Sequence, residues 1–148
     1  MSLPVSHVMR AQVVFCEEST LLKKVSETVV EVSAGSILVN RGEKSIGIIT
    51  TKDLLRAMLK GLDFDNARAG DIMSEPLHTC EADHDLDQAL KKFEQAGCSR
   101  LVVTQDDKVV GILKKTIAER FKGFAGLYHF SPKTRSLPFR RGSGSTLS

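Results

Sequence analysis

The stretch CEESTLLKKVSETVVEVSAGSILVNRGEKSIGIIT, residues 16–50, recurs 64 residues later as CEADHDLDQALKKFEQAGCSRLVVTQDDKVVGILK, residues 80–114. The two segments align without a gap, and Gly47 falls on Gly111. Self-similarity at a fixed period indicates that one supersecondary unit occurs twice. The predicted divisions are repeat one, residues 1–62, repeat two, residues 63–123, and a basic tail, residues 124–148.

The hydrophobic pattern predicts the same order of elements in both repeats: a helical lead-in, a short strand, a helix, a two-stranded hairpin and a closing helix. After its lead-in each repeat is βαββα, and the fold class is α+β. Side-chain caps are expected at Ser19 or Thr20 for the long helix of repeat one and at Asp83 for that of repeat two. The predicted strands are 12–16, 36–40, 44–50, 77–80, 100–104 and 108–114.

The sequence GIITTKD, residues 47–53, joins the last strand of repeat one to its closing helix. Thr50 and Asp53 lie three residues apart at this helix start, where free backbone N–H groups and the helix dipole favour a polar ligand. The same two residues also fit a helix cap, which contributes about 1 kcal/mol of local stability. A ligand-binding corner and a plain cap are therefore both open interpretations.

Further residues in both repeats resemble a known family. HVM or DIM precedes a short strand and a helix, and these are followed by SILVN or RLVVT, a turn, and a strand that closes on GII or GIL. This arrangement, over residues 5–122, resembles a tandem pair of cystathionine β-synthase (CBS) domains, called a Bateman module. The resemblance implies pseudo-twofold packing of the repeats, two related clefts between their sheets that bind adenine nucleotides or related adenosyl compounds, and pairing of modules into homodimers through their helices.

The resemblance also implies roles for particular residues. Thr50 and Asp53 match the family's ribose contact, and a carboxylate has enough acceptor sites for both hydroxyls of a ribose. Adenine is expected against backbone and apolar side chains, and His78 fits a surface strand position as well as a contact to the ring. The expected ligand-binding residues are Thr50, Asp53, Ile49, Met73, Ser74, Leu77, His78, Cys98, Ser99 and Arg100.

Repeat two departs from this motif, because Lys114 and Ile117 stand at the positions of Thr50 and Asp53. Isoleucine cannot accept a hydrogen bond from ribose, so we expect one competent nucleoside site and a second cleft that is empty or binds something different. The same comparison indicates that the fold does not require the Thr50 cap. Arg100, Lys114 and Lys115 are expected to place positive charge near the clefts, where phosphate oxygens would bind. For Lys115, a solvated surface position is the alternative.

Charge is distributed unevenly along the chain. Residues 1–122 hold 17 of the 21 Lys and Arg residues and all 18 acidic residues, so their formal charge is −1, and the remaining four basic residues give the net charge of +3. Aromatic and aliphatic residues at 121–130 are expected to dock on the module or on a partner. The tail beyond them is expected to be solvated or tethered to a partner, with a salt-sensitive contact to nucleic acid as the alternative.

Several other classes of function are not expected. Cys16, Cys80 and Cys98 lack CxxC spacing and are odd in number, which argues against a zinc site and a disulfide framework. No nucleophile with a nearby base and no paired carboxylates occur at a usable spacing, so we expect neither an enzyme nor a cofactor. No apolar run approaches the ~20 residues of a membrane span and no signal-peptide core is present, so we expect a cytoplasmic protein without a membrane partner.

Two hypotheses follow. In the first, the chain is a regulatory module that senses AMP or ADP, with ATP as a further candidate, and acts as a homodimer on an unidentified regulated protein. In the second, it is a structural or nucleic-acid-associated adaptor with vestigial clefts that acts through its basic tail. Substitution of Asp53 by Ala discriminates them, because it should abolish nucleotide binding in the first case and change no function in the second.

Overall fold

The structure is a computed structural model that describes residues 2–123. The tail of residues 124–148, to which the nucleic-acid prediction and most of the docking prediction refer, lies outside the described residues. Phe121, the first residue of the docking prediction, is described: it ends the last helix and is buried in the core. Within the described residues, no helix is both long and apolar enough to cross a membrane. After a 3₁₀ helix at Val5–His7, the elements are β1 (Phe15–Glu17), α1 (Leu22–Val32), β2 (Ser36–Arg41), β3 (Lys44–Thr50), α2 (Thr51–Leu59), α3 (Ala69–Ile72), β4 (Thr79–Glu81), α4 (Leu86–Ala96), β5 (Arg100–Gln105), β6 (Lys108–Lys114) and α5 (Lys115–Phe121).

This order confirms the predicted α+β fold, in which both repeats have the same sequence of elements. Each repeat forms a three-stranded sheet, ordered β1-β2-β3 in repeat one and β4-β5-β6 in repeat two. β1 pairs parallel with β2, and the hairpins β2-β3 and β5-β6 are antiparallel. Both hairpins have a register shift at the same repeat position, after Val39 and after Val103. The two hairpins are therefore built alike at an offset of 64 residues.

The described chain divides into two compact units, one of residues 10–79 and one of residues 2–9 with 80–123. The boundaries of these units differ from those of the sequence repeats. The N-terminal segment, residues 2–9, belongs to the unit that contains the sheet of repeat two, and residues 63–79 belong to the unit that contains the sheet of repeat one. Val5 donates its N–H to the carbonyl of His84 at 2.7 Å, and Leu86 donates to that of Leu3 at 2.9 Å. In the other unit, Ser74 pairs with Ile48 of β3.

Buried apolar residues form two clusters, one in each unit. Leu22 of α1 and Ile49 of β3 are completely buried in the first cluster, as are Leu86 and Phe93 of α4 in the second. Val29 and Phe93 occupy equivalent positions in the two repeats. The core of repeat two is therefore built around a larger side chain than that of repeat one.

Helix α1 begins without the predicted side-chain cap. Leu21 occupies the N-cap position, and no side chain accepts a hydrogen bond there. The N–H of Leu22, one of the groups that a cap would serve, instead donates to the carbonyl of Ala67 at 2.9 Å. The backbone of the connector thus satisfies the helix start, and the predicted cap at Ser19 or Thr20 is wrong.

Helix α4 is capped two residues after the predicted position. The carboxylate of Asp85 accepts from the N–H of Gln88 at 2.9 Å, and the Gln88 side chain accepts from the N–H of Asp85 at 2.9 Å. This reciprocal pair is a capping box, in which the two residues are three positions apart. Asp83, the predicted cap, lies in the turn that precedes the helix and is therefore a wrong assignment.

The first strand of each sheet is shorter and begins later than predicted. β1 covers Phe15–Glu17 instead of 12–16, and β4 covers Thr79–Glu81 instead of 77–80. Residues of β1 pair with Leu38, Val39 and Asn40 of the central strand β2. The limits of such a short strand depend on a distant partner in the sequence, which the local hydrophobic pattern does not show.

Candidate functional site

The candidate site is the corner where β3 runs into α2. Thr50 is the N-cap residue, and its hydroxyl accepts from the N–H of Asp53 at 3.2 Å. The Asp53 carboxylate returns the bond by accepting from the N–H of Thr50 at 2.9 Å through Oδ2. The cap interpretation is therefore confirmed as local structure. It fixes the position of the carboxylate against the end of the strand.

The cap leaves acceptor capacity on the Asp53 carboxylate. Oδ2 is bonded to the Thr50 N–H, and Oδ1 lies 3.4 Å from Nη1 of Arg56, one helical turn further along. Each carboxylate oxygen has two acceptor sites, so one bond to each leaves room for further donors. The side chain of Asp53 is 19% exposed. A cap and a contact to two hydroxyl groups are thus compatible at the same carboxylate.

A segment of the connector lies beside this strand. Ile48 and Ser74 exchange two backbone hydrogen bonds, of 3.0 and 2.9 Å. The preceding residue of β3, Gly47, has no room for a side chain, because a Cβ atom there would lie 2.6 Å from Sδ of Met73 and 3.0 Å from the Ser74 carbonyl oxygen. The structure therefore places two predicted site residues, Met73 and Ser74, against the strand that ends at Thr50.

The other predicted residues of this unit differ in exposure. Ile49 is completely buried in the core, so the structure does not expose it at the corner. Leu77 is half-buried, whereas Ser74 and His78 are exposed. The role of each in ligand binding stays a prediction.

The remaining predicted residues, Cys98, Ser99 and Arg100, belong to the other compact unit. Cys98 and Ser99 lie in the turn from α4 into β5, and Arg100 begins β5. The carbonyl of Ser99 accepts from the N–H of Lys115 at 2.9 Å. Burial raises the pKa of the Cys98 thiol, while the neighbouring backbone and the Lys115 ammonium group act against this shift. The ten predicted residues thus fall into a set of seven and a set of three, in separate units.

The equivalent corner of repeat two is built without a cap. Lys114 occupies the N-cap position of α5, and no side-chain cap bond is present. Ile117, at the position of Asp53, is partly buried against the core cluster that contains Phe93. The expectation that this corner forms without a threonine and a carboxylate is confirmed.

Burial disfavours the reactive thiolate form of Cys16 and Cys80. Burial raises the pKa of Cys16 to about 11, with a further contribution from Glu17, and burial raises that of Cys80 to about 11. A thiol with such a pKa is almost entirely protonated at neutral pH and is therefore a poor nucleophile and metal ligand. Among residues 2–123, no group of three or more His, Cys, Asp or Glu side chains is placed to hold a metal ion.

Comparison with known families agrees with this geometry. The CBS domain matches the chain twice, over residues 5–60 and 69–116. The chain belongs to the CBS domain family. The two matched regions correspond to the two repeats in the sequence, so the predicted resemblance is confirmed. CBS domain pairs are ligand-binding regulatory modules, and this is the class of function that membership indicates.

Individual relatives extend this comparison. An uncharacterised protein of Methanopyrus kandleri is 32% identical over 115 residues, which are 76% of this chain and 59% of that protein, so this chain spans less than two thirds of its length. The hexameric CBS-CP12 protein of bloom-forming cyanobacteria has a TM-score of 0.75 at 19% identity, covering 96% of this chain and 91% of its own. The CBS domain pair of protein MJ0100, in complex with 5′-methylthioadenosine and S-adenosyl-L-methionine, has a TM-score of 0.68 at 18% identity, covering 81% and 95%. The identities of 19% and 18% to the two solved structures show a shared fold.

Proposed function

We propose that this chain is a regulatory module that binds an adenine nucleotide, AMP, ADP or ATP, with the ribose at the corner of Thr50 and Asp53. The observation that carries the proposal is the Asp53 carboxylate, which is fixed by the cap and retains acceptor sites on both oxygens. The complex of the MJ0100 domain pair with two adenosyl compounds supports this class of ligand. The proposed activity is binding and not catalysis.

The geometry supports a ribose contact in particular. Vicinal hydroxyl groups are two donors held side by side, and a single carboxylate can accept from both. Hydrogen bonds to a charged group contribute about 1.5–3 kcal/mol, and each 1.4 kcal/mol is a tenfold change in affinity. Loss of the negative charge at Asp53 should therefore weaken nucleotide binding about tenfold or more.

The test is isothermal titration of the wild-type protein and the Asp53→Asn variant with AMP, ADP, ATP, adenosine and S-adenosylmethionine. Asparagine is chosen because its amide oxygen can still accept from the N–H of Thr50 and keep the cap. The matched control is Asp85→Asn, which makes the same change in the capping box of α4. We expect about one ligand per chain in the wild type and the control, and at least tenfold weaker binding in Asp53→Asn.

Two outcomes would contradict the proposal. One is the absence of binding by a wild-type sample shown to carry no copurified nucleotide. The other is equal affinity of wild type and Asp53→Asn. A loss of binding in both Asn variants would mean that the effect comes from helix capping and not from the Asp53 charge.

We also propose that the module pairs with a second copy through the outer face of α1 and α2, which pack against each other. Val30 is 78% exposed, Leu59 88%, Met58 60% and Leu55 54%. Repeat two has Glu94, Gly123, Lys122 and Glu119 at the equivalent positions. A twofold interface uses the same surface of both copies, so exposed apolar side chains on this face can be covered by the same side chains of a second copy.

Sedimentation velocity of the wild type and of Leu55→Glu/Met58→Lys tests this pairing. The variant places the residue types of repeat two on repeat one. Both positions are exposed, so the variant should still fold. We expect the wild type to sediment as a dimer and the variant as a monomer. The control is Glu119→Gln/Lys122→Gln, which changes the equivalent face of repeat two and should leave the dimer intact. A monomeric wild type, or a variant that still forms the dimer, would contradict the proposal.

A further inference from the structure

The outer face of α2 carries a row of positive charge beside its exposed apolar residues. Lys52, Arg56 and Lys60 are exposed and spaced four residues apart, so they lie along one side of the helix. Lys60 follows the last residue of α2, and its N–H still donates to the carbonyl of Arg56 at 3.0 Å, as in a helix. Lys52 is three residues before Leu55. Arg56 has the same spacing to Leu59, so the basic row runs directly alongside the apolar one.

The second half of α1 carries negative charge beside its own exposed apolar residue. Glu27 and Glu31 are exposed and four residues apart, and Glu27 is three residues before Val30, which is 78% exposed. The basic residues of this helix, Lys23 and Lys24, lie in its first turn. Like charges four residues apart repel each other, so the two glutamates do not stabilise α1 by themselves. The exposed apolar face of α1 and α2 is thus bordered by an acidic row on one helix and a basic row on the other.

Most of these charges have no opposite charge beside them in the structure. Within residues 2–123, the two glutamates of the acidic row and the two lysines of the basic row form no ion pair. The middle residue of the basic row is different, because Nη1 of Arg56 lies 3.4 Å from Oδ1 of Asp53. Four exposed charges beside an apolar surface are therefore free to contact a partner.

Repeat two does not share this arrangement. Lys91 and Gln95 stand at the positions of the two glutamates, and Thr116 stands at that of Lys52. The equivalent helices α4 and α5 nevertheless form and pack against each other. The fold therefore does not require the acidic and basic rows, and they occur on the repeat whose helices expose the apolar face.

We propose that these charges determine how two copies pair: the acidic row of α1 in one copy contacts the basic row of α2 in the other. A twofold axis repeats this contact, so that both acidic rows and both basic rows meet an opposite charge. Contact of α2 with α2 would instead place lysines against lysines, and like charges across an interface are unfavourable. This contact rests on the pairing proposed above, and it makes the chain select a copy that carries the same two rows.

Two variants of the full chain test this contact. Lys52→Glu/Lys60→Glu makes both rows acidic apart from Arg56, which is kept because of its contact with Asp53, and Glu27→Lys/Glu31→Lys makes both rows basic. Sedimentation velocity over a concentration series measures the dissociation constant of the dimer. We expect each variant alone to have a dissociation constant about tenfold or more above that of the wild type, because the twofold axis applies every substitution twice.

An equimolar mixture of the two variants should pair like the wild type. In the mixed dimer, each acidic row faces a basic row, since one chain has become acidic on both helices and the other basic on both. All four substituted positions are exposed, and circular dichroism establishes that the variants fold. Recovery of pairing in the mixture also excludes misfolding as the cause of the loss in each variant alone.

The chain with all four substitutions separates this contact from a contact between like helices. Its rows are exchanged, so it should pair with itself and not with a fluorescently labelled wild-type chain. If α2 of one copy met α2 of the other, opposite charges would face each other in the mixed dimer, and pairing with the wild type would be the tighter of the two. That result would overturn the proposed contact.

The control is Lys44→Glu/Lys108→Glu, which makes the same change in net charge at equivalent exposed positions of the two hairpins and should pair like the wild type. Unchanged pairing in Lys52→Glu/Lys60→Glu, or an equal loss in this control, would overturn the charge contact and leave the dimer itself in place. A monomeric wild type would overturn the pairing, and the charge contact with it.

Discussion

Helix α2 begins with a reciprocal cap between Thr50 and Asp53, whereas α5, at the equivalent position of repeat two, begins at Lys114 without a side-chain cap. The hairpins that lead into these helices have the same register and the same irregularity. The corner is thus determined by backbone pairing and by the core, and its side chains can vary without loss of the fold. Such positions are where a duplicated unit can acquire two different binding properties.

The outer helical surfaces differ in the same way. Repeat one exposes Leu55 and Leu59 on α2, where repeat two has Glu119 and Gly123. These exposed apolar side chains are the reason for proposing that the module pairs with a second copy. The charged residues of repeat two suit a surface that stays in water. The two repeats therefore differ both at the corner where the closing helix begins and on their outer helical surfaces.

The largest expected effect tests whether the two cores differ as the comparison implies. Phe93 of α4 is completely buried, and Val29 of α1 at the equivalent position is 7% exposed. Replacement of a buried Phe by Ala costs about 3–5 kcal/mol, because it removes apolar contacts and leaves a cavity. Val29→Ala removes only two carbon atoms and should cost on the order of 2 kcal/mol.

Urea unfolding followed by circular dichroism measures both changes. Phe93→Leu is the control, since it keeps most of the apolar volume and should cost less than Phe93→Ala. Equal losses for Phe93→Ala and Val29→Ala would show that the two cores tolerate truncation alike, which would contradict the comparison.

Much of the fold was predictable because its signals are local. The strands 44–50 and 108–114 coincide with β3 and β6, since alternating apolar residues and a turn define each hairpin. The start of α1 was not predictable in the same way, because its first N–H is satisfied by Ala67, far along the chain. The cap of α4 was missed although Asp85 and Gln88 show the spacing of a capping box.

The candidate site shows the same division between local and distant information. The Thr50–Asp53 cap could be predicted because its partners are three residues apart, and Arg56, which was not predicted, lies at an equally local spacing from Asp53. The contact of Met73 with Gly47 has no local signal. A glycine shared by both repeats indicates a close approach, but the residue that approaches it is known only from the structure.

The smallest expected effect concerns the ion pair between Arg41 and Glu18, which repeat two cannot form at the equivalent positions. Arg41 contacts Glu18 through two hydrogen bonds, of 2.6 and 3.0 Å, whereas repeat two has Gln105 and Ala82 there. The bond from Arg41 lowers the pKa of Glu18 below its ordinary value of 4.5. A carboxylate whose pKa is lowered by folding adds stability above its unfolded pKa, and this contribution is lost as the pH falls through the lower, folded value.

Glu18→Gln should therefore be slightly less stable than wild type at pH 6, and the difference should shrink as the pH falls below 4.5 and as salt screens the exposed pair. Urea unfolding at several pH values measures it, with Arg41→Gln and the double variant completing a double-mutant cycle. A loss in Glu18→Gln that persists unchanged in the acid range would assign it to packing and not to charge. If Glu18→Gln lowers stability equally in the wild type and in the Arg41→Gln background, the ion pair itself adds no stability. The two repeats would then not differ in stability through this pair.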